Sequence, residues 1–288
     1  MYAAPFEYHR ASSVQEAVGL LQRYGDDAKL LAGGHSLLPV LKLRLSTIGH
    51  LIDIRRIEGL SGIREAGGEI VIGAATSHAA LQHSQLLQQK LPILAEAAAQ
   101  IGDPAVRNLG TIGGSLAHAD PAADLPAVIL ALGSELRVEG PDGSRTIAAD
   151  DCFTGLFSTA LRPGEILTEI RVPVPTARTG TAYEKHAHPA SGFAVVGIAA
   201  VLTAGTGNTI AQARIAVTGV GTAATRAGKA ETMLMGQTPT PDLLQLAASK
   251  VPDGIAARGD LYAPPEFRAQ LARVHAERAL LRAWQRMR

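Results

Sequence analysis

The chain reads as an α+β protein in two parts, and three observations predict this. Its 288 residues suit about two domains, since a domain usually takes ~100–200 residues. The first 55 residues alternate helix-like and strand-like patterns around a glycine pair. Beyond "PVPTARTGTA" (173–182), strand-like stretches come first and helix-like stretches follow, an order typical of an α+β domain. The composition of that segment marks it as the domain boundary.

The elements follow in order. In "SSVQEAVGLLQRYG", Ser13 and Glu16 have capping-box spacing, Val14, Ala17, Val18 and Leu21 share one face, and Gly25 is a stop signal. "AKLLAGG" reads as a short buried strand ending at Gly33-Gly34, with a helix starting near Ser36, and "HLIDI" (50–54) reads as a second strand. The glycines thus lie at a strand's C-terminal end, where α/β units commonly bind ligands. "GEIVIGAATSHAAL" reads as a strand entering a helix, and "LPILAEAAAQIG" as a helix. "GDPAVRNLGTIGGSLAHADPAAD" (102–124) is rich in Gly, Pro and Asp and is expected to be a long loop, a feature usually functional in a compact domain. Next come a helix in "LPAVILALGS", a hairpin in "ELRVEGPDGSRTIAA" turning at Asp142-Gly143, and a strand in "GEILTEIRVPVP". The second part is expected to hold strands in "FAVVGIAAVLTAG" and "ARIAVTGVG", then helices at 225–235, 241–251 and 266–287. The last helix would bury a stripe of Leu271, Val274, Leu281 and Trp284.

Bulk properties exclude several functions. The chain is 47% hydrophobic and 18% charged, enough to bury a sizeable core. Net charge is +1 with no basic run, so the footprint of a nucleic-acid binder is missing. No stretch reaches the ~20 apolar residues of a membrane span. The N-terminus lacks the pattern of a secretory signal. A single cysteine, Cys152, cannot make an intrachain disulfide or hold a four-thiolate cluster alone. Together these point to the cytoplasm.

Two segments carry the chemistry. Gly33 and Gly34, flanked by Ala32, His35, Ser36 and Leu37, could simply turn the chain, or could expose successive N–H groups to an anion. Thr111-Ile112-Gly113-Gly114-Ser115 repeats the device some 80 residues later, so two segments could bracket one diphosphate. Asp120 and Asp124 suit N–H or hydroxyl donors better than phosphate. Other patterns fail. No P-loop is present. Gly219-x-Gly221-x-x-Ala224 mimics a Rossmann turn, but no acidic strand end follows ~20 residues on. His186-x-His188 has no third metal ligand nearby, and no Gly-x-Ser-x-Gly elbow supports a hydrolase. Lys185, by residue type, reads as a surface lysine.

Taken together, "LAGGHSLLPVLKLRL", "VRNLGTIGGSLAHADPAADLPA", "LRPGEILTEIRVP" and "EKHAHPASGFAVVG" resemble the FAD-binding medium subunit of molybdenum hydroxylases, the carbon monoxide dehydrogenase and xanthine dehydrogenase family. The resemblance spans nearly the whole chain. It implies a two-lobed PCMH-type FAD-binding domain over 1–176, with lobes of about 1–55 and 56–176. A smaller α+β domain over 177–288 would follow, an antiparallel sheet plus helices. It implies that Ala32, Gly33, Gly34, His35, Ser36 and Leu37, with Thr111, Ile112, Gly113, Gly114 and Ser115, hold FAD around its diphosphate. Asp124 would meet the ribityl or flavin side, Lys185 the pyrimidine end, and Leu161 and Phe193 would flank the isoalloxazine. Many relatives carry Tyr where this chain has Phe193.

The resemblance also implies partners: a small subunit with two 2Fe–2S clusters and a large molybdopterin subunit, as a dimer of heterotrimers. The chain would take electrons from the clusters and pass them to an external acceptor. No catalytic side chain or metal ligand is then expected here, because the flavin is the reactive group. The alternative is a self-sufficient FAD-dependent oxidoreductase with a related FAD domain.

Overall fold

The computed structural model describes residues 2–175 and 178–287. The expected 176/177 domain boundary lies outside the described residues.

The N-terminal unit contains β1 (Glu7–Arg10), α1 (Val14–Tyr24), β2 (Ala28–Leu31), α2 (Leu37–Lys42) and β3 (His50–Asp53). The strands form a parallel sheet in the order β1-β3-β2. Ser13 caps α1 through the Glu16 N–H. The Glu16 carboxylate turns instead to the N–H and hydroxyl of Ser12, one residue earlier than the capping box predicts. Gly25 ends α1 at φ +54°, as expected.

An antiparallel sheet follows in the order β4-β5-β10-β6-β7: β4 (Ile63–Ala66), β5 (Glu69–Gly73), β6 (Glu135–Gly140), β7 (Gly143–Ala148) and β10 (Ile166–Pro173). Helices α3 (His78–His83), α4 (Gln85–Lys90), α5 (Pro92–Ala99) and α8 (Asp124–Leu132) belong to this part. The short α9 (Ala149–Cys152) leads into a ribbon of β8 (Phe153–Gly155) and β9 (Ser158–Thr159). The hairpin joining β6 and β7 turns through Pro141 and Asp142, with Gly143 already paired to Gly140 at φ +101°.

The expected loop at 102–124 is in part helical, with α6 (Pro104–Leu109) and α7 (Ile112–His118). The residues read as loop formers are helix-start signals here. Asp103 accepts the Val106 N–H with Pro104 in the first turn, and Thr111 accepts the Gly114 N–H.

The C-terminal sheet is antiparallel, ordered β11 (Thr179–Ala187), β12 (Ala194–Ala204), β13 (Ile210–Thr218) and β14 (Thr225–Arg226). Strand β11 begins inside the segment read as a linker; its alternation was hidden by the Thr/Arg/Gly composition before it. Helices α10 (Gly228–Leu234), α11 (Pro241–Ser249) and α12 (Pro265–Met287) follow as expected, except that residues 225–226 are strand. The buried face of α12 runs through Ala272, Ala276, Ala279, Leu280 and Ala283, with Leu271, Leu281 and Trp284 only partly buried. Small alanines let α12 lie close on β11 and β12, so the larger residues sit at the margin. The approach is tight at Gly180, where an added Cβ would collide with the α12 backbone at Ala283.

Helix α8 ties the two parts together. All of its residues from Asp124 to Ala131 are buried, as an all-round apolar helix requires. It packs on α5 and β10 on one side and on β12 and β13 on the other. That position carries its first residue, Asp124, toward the cavity described next.

Candidate functional site

A cavity of about 1000 Å³ opens beside the C-terminal end of β2, at the upper end of the range for small-molecule sites. Its walls include Ala32–Leu37, the α6–α7 region with Thr111 and Gly113–Ser115, the Ala74 to His78 stretch, Asp120 and Asp124, residues 163–167, and Ser191–Phe193.

The first glycine segment joins β2 to α2. Gly34 sits at φ +76°, a conformation that favours glycine. Among the described residues, nothing accepts the backbone N–H groups of Gly33, Gly34, His35, Ser36 or Leu37. All five residues line the cavity, so their N–H groups can be met by a ligand or by water there. Gly33 serves packing. A Cβ there would lie 2.4 Å from the Leu109 carbonyl oxygen and 2.6 Å from Gly110 Cα, so glycine lets the first segment touch the approach to the second.

The second glycine segment is not a second nest, contrary to the repeat expected from sequence. The Ile112 N–H donates to Thr76 O (3.0 Å), Gly113 N–H to Ala74 O (2.8 Å) and Ser115 N–H to Thr111 O (3.0 Å). The Gly114 N–H donates to Thr111 Oγ1 at 3.1 Å. These glycines permit close packing instead: a Cβ on Gly113 would fall 2.5 Å from Ala74 Cβ. Gly114 and Ser115 still line the cavity, leaving the Ser115 hydroxyl as a donor. Ile112 is fully buried in the core and does not line it.

Asp124 reaches the cavity wall while 5% exposed. Its carboxylate accepts from the Tyr183 hydroxyl (2.6 Å) and from Lys185 Nζ (2.9 Å), and Lys185 also donates to Gln100 O (2.9 Å). Burial pushes the Asp124 carboxyl up, with Lys185 and Tyr183 opposing; the same burial and the Asp124 charge push the Tyr183 phenol well above its ordinary value. Lys185 is not a surface residue: its side chain is 1% exposed. Nor does it line the cavity; it stands behind Asp124. Tyr183 and Lys185 reach Asp124 together because they share one face of β11.

Phe193 lines the mouth and is half-exposed. The turn that presents it is held by His188, whose Nδ1 accepts the N–H groups of Ala190 and Ser191. Leu161 packs on the large core and does not line the cavity, which the neighbouring segment 163–167 reaches instead. His35 also lines the cavity, near His78.

His78 was not singled out from the sequence. It lines the cavity, is nearly buried, and is pushed down to about 4, by burial first and the His35 charge second. Nothing in "TSHAAL" marks it except its place at a helix start. The Gly219 turn belongs elsewhere. Gly219 N–H and the Thr218 hydroxyl donate to Pro121 O, docking β13 on the segment that carries Asp120 and Asp124.

Known proteins share this architecture. Residues 4–175 match the model of the FAD binding domain in molybdopterin dehydrogenase, and residues 181–283 that of the CO dehydrogenase flavoprotein C-terminal domain. The chain belongs to the FAD-binding medium subunits of the molybdenum hydroxylases. It is 45% identical to the carbon monoxide dehydrogenase medium chain of Hydrogenophaga pseudoflava over 98% of each chain. It is 40% identical to the 6-hydroxypseudooxynicotine dehydrogenase complex subunit alpha of Paenarthrobacter nicotinovorans, over 98% of this chain and 96% of the relative. A solved carbon monoxide dehydrogenase from Hydrogenophaga pseudoflava, in a form lacking the Mo-pyranopterin moiety, superposes with a TM-score of 0.96 at 46% identity over 99% of each chain.

The chain is thus an oxidoreductase subunit of a multi-subunit enzyme, and FAD is its cofactor. The fold agrees with the expectation from sequence, an α+β FAD-binding domain followed by a smaller α+β domain. No helix among the described residues is long and apolar enough to cross a membrane.

Proposed function

We propose that this medium subunit is an electron relay, taking electrons from 2Fe–2S clusters on a small subunit and passing them to an external acceptor. The substrate would be oxidised on a large molybdopterin subunit, with the three chains paired as a dimer of heterotrimers. One observation carries the assignment of the site: five consecutive N–H groups without a protein acceptor among the described residues, Gly33 to Leu37, on residues lining a cavity of about 1000 Å³. That donor set fits a diphosphate, and the cavity has room for a dinucleotide.

When bound, FAD supplies the redox chemistry, and the chain binds, orients and tunes it. In this reading Ala32 to Leu37 hold the diphosphate, joined by the hydroxyl of Ser115. Thr111 orders α7 through Gly114, and Gly113 lets α7 approach the Ala74–Thr76 segment. Asp124, whose oxygens each keep a second lone pair, accepts from a ribityl hydroxyl or ring N–H. Lys185 positions that carboxylate and places a positive charge behind it. Phe193 offers an aromatic face without the hydroxyl that Tyr would add.

The test uses the assembled complex stripped of FAD. Substrate should still bleach the iron–sulfur chromophore, while reduction of the external acceptor stops and returns when FAD is restored. Full acceptor reduction without FAD would refute the relay. A purified complex without iron–sulfur or molybdenum subunits would refute the partners.

A further inference from the structure

The N-terminal sheet carries a second group of chemically matched side chains, on β1 and β3. The parallel register sets Glu7 opposite His50. Glu7 and His9, two residues apart on β1, lie on the same face. Three ligand atoms converge there. His9 Nε2 lies 3.0 Å from His50 Nδ1, His50 Nδ1 lies 3.4 Å from Glu7 Oε2, and His9 Nε2 lies 3.8 Å from Glu7 Oε2.

We propose that Glu7, His9 and His50 form a zinc-class divalent metal site that fastens the outer strand β1 to β3. The distances favour it. Zinc binds imidazole nitrogen and carboxylate oxygen at about 2.0–2.2 Å in a tetrahedron, which puts its ligands roughly 3.3–3.5 Å apart. The three observed separations bracket that value. Two imidazoles with one carboxylate suit Zn²⁺ or Co²⁺, whereas Ca²⁺ and Mg²⁺ require mostly oxygen.

The surroundings are compatible. The Tyr24 ring stacks on His50 with centroids 3.6 Å apart at 16°, which fixes the imidazole plane. His9 and His50 are 21% and 17% exposed and Glu7 is 72% exposed. The ion therefore has an entry path past the carboxylate and room for water as fourth ligand. Without the ion, the 3.0 Å contact is a single N–H···N hydrogen bond between the two rings. The ion would bridge all three groups, joining an edge strand to the sheet that carries the first glycine segment.

The experiment uses the full FAD-loaded chain, freed of adventitious metal and titrated with zinc chloride. Calorimetry and elemental analysis should show one saturable zinc per chain, and thermal unfolding should shift upward with zinc concentration. Co²⁺ should give the intense visible bands of tetrahedral coordination. Glu7→Gln, at an exposed position, should keep full FAD content and weaken zinc binding by about tenfold or more. His9→Gln should remove the cobalt bands, while the exposed control His83→Ala should bind like the parent. No saturable zinc in the parent chain, or unchanged affinity in both Glu7→Gln and His9→Gln, would overturn the site.

Discussion

Lys185→Met isolates the buried charge pair behind the cavity. Methionine keeps most of the lysine stem's volume but removes the ammonium, leaving Asp124 with one side-chain donor, Tyr183. Breaking a buried pair by removing one partner usually costs ~3–5 kcal/mol. The structure sets a ceiling at each pH, because the carboxyl can escape by taking a proton. At pH 7 the solution lies about three pH units above the ordinary Asp value of ~3.9, and each unit costs ~1.4 kcal/mol, so the penalty cannot exceed about 4 kcal/mol. The sign follows from the raised folded pKa. The unfolded state releases this proton first, so the variant loses stability as pH rises and regains it as pH falls. At pH 5 the ceiling drops to roughly 1.5 kcal/mol. Urea unfolding at pH 7 and pH 5, at matched FAD, measures both. Asp124→Asn combined with Lys185→Met should recover much of the loss, since no uncompensated charge remains. A penalty as large at pH 5 as at pH 7, or a double variant no better than Lys185→Met, would refute an ionic Asp124–Lys185 pair.

Gly34→Val should lower FAD content per chain. Its φ of +76° costs a residue with a Cβ roughly 1–2 kcal/mol, and that Cβ would lie 2.9 Å from a Leu38 methyl; flavin released on denaturation measures the loss, and parent-level FAD would remove the nest. Phe193→Ala should weaken FAD binding by about 0.5–1.5 kcal/mol, the worth of an aromatic pair beyond burial; an unchanged dissociation constant would take Phe193 out of the flavin contact. His78 is pushed down to about 4, so its contribution is complete above ~6.5 and is lost as pH falls toward 4. His78→Gln should therefore flatten the fall in urea midpoint between pH 7 and pH 4.5, and an equal fall in both proteins would count against a buried neutral His78.

The fold was legible wherever local chemistry and tertiary demand agree. The pattern around Val14, Ala17 and Val18 forms a helix, Gly25 ends it, and the three C-terminal helices lie near their expected positions. Two failures have physical causes. Residues 102–124 look like a loop because Pro104 and Thr111 are rare inside helices, yet both occupy helix starts, where one needs no N–H acceptor and the other caps. The α12 stripe was placed on the largest apolar residues, but a helix lying tight on a sheet puts alanines inward. Of the cavity lining, both glycine segments and Asp124 were singled out from residue type, and Phe193 from the family resemblance. The Tyr183–Asp124–Lys185 cluster was not, because it joins a helix start to a strand about 60 residues away, and only the folded β11 brings them together.

The two glycine segments show why a repeated motif need not repeat a function. Each has paired glycines with a hydroxyl residue nearby, and sequence alone assigns both the same task. The accounting of backbone donors separates them. In Thr111–Ser115 the N–H groups of Ile112, Gly113, Gly114 and Ser115 all have protein acceptors, so those glycines exist to let α7 lie against the Ala74–Thr76 segment. In Gly33–Leu37 none of the five has one among the described residues. Unpaired donors are met by a ligand or by water, so the proposed diphosphate contact belongs on the first segment rather than the second. The second segment then acts as the opposite wall. Substitution at Gly113 should act through packing and damage the fold, whereas substitution at Gly34 should act on the cofactor. FAD loss in a stably folded Gly113→Ala, with FAD retained in Gly34→Val, would reverse the assignment.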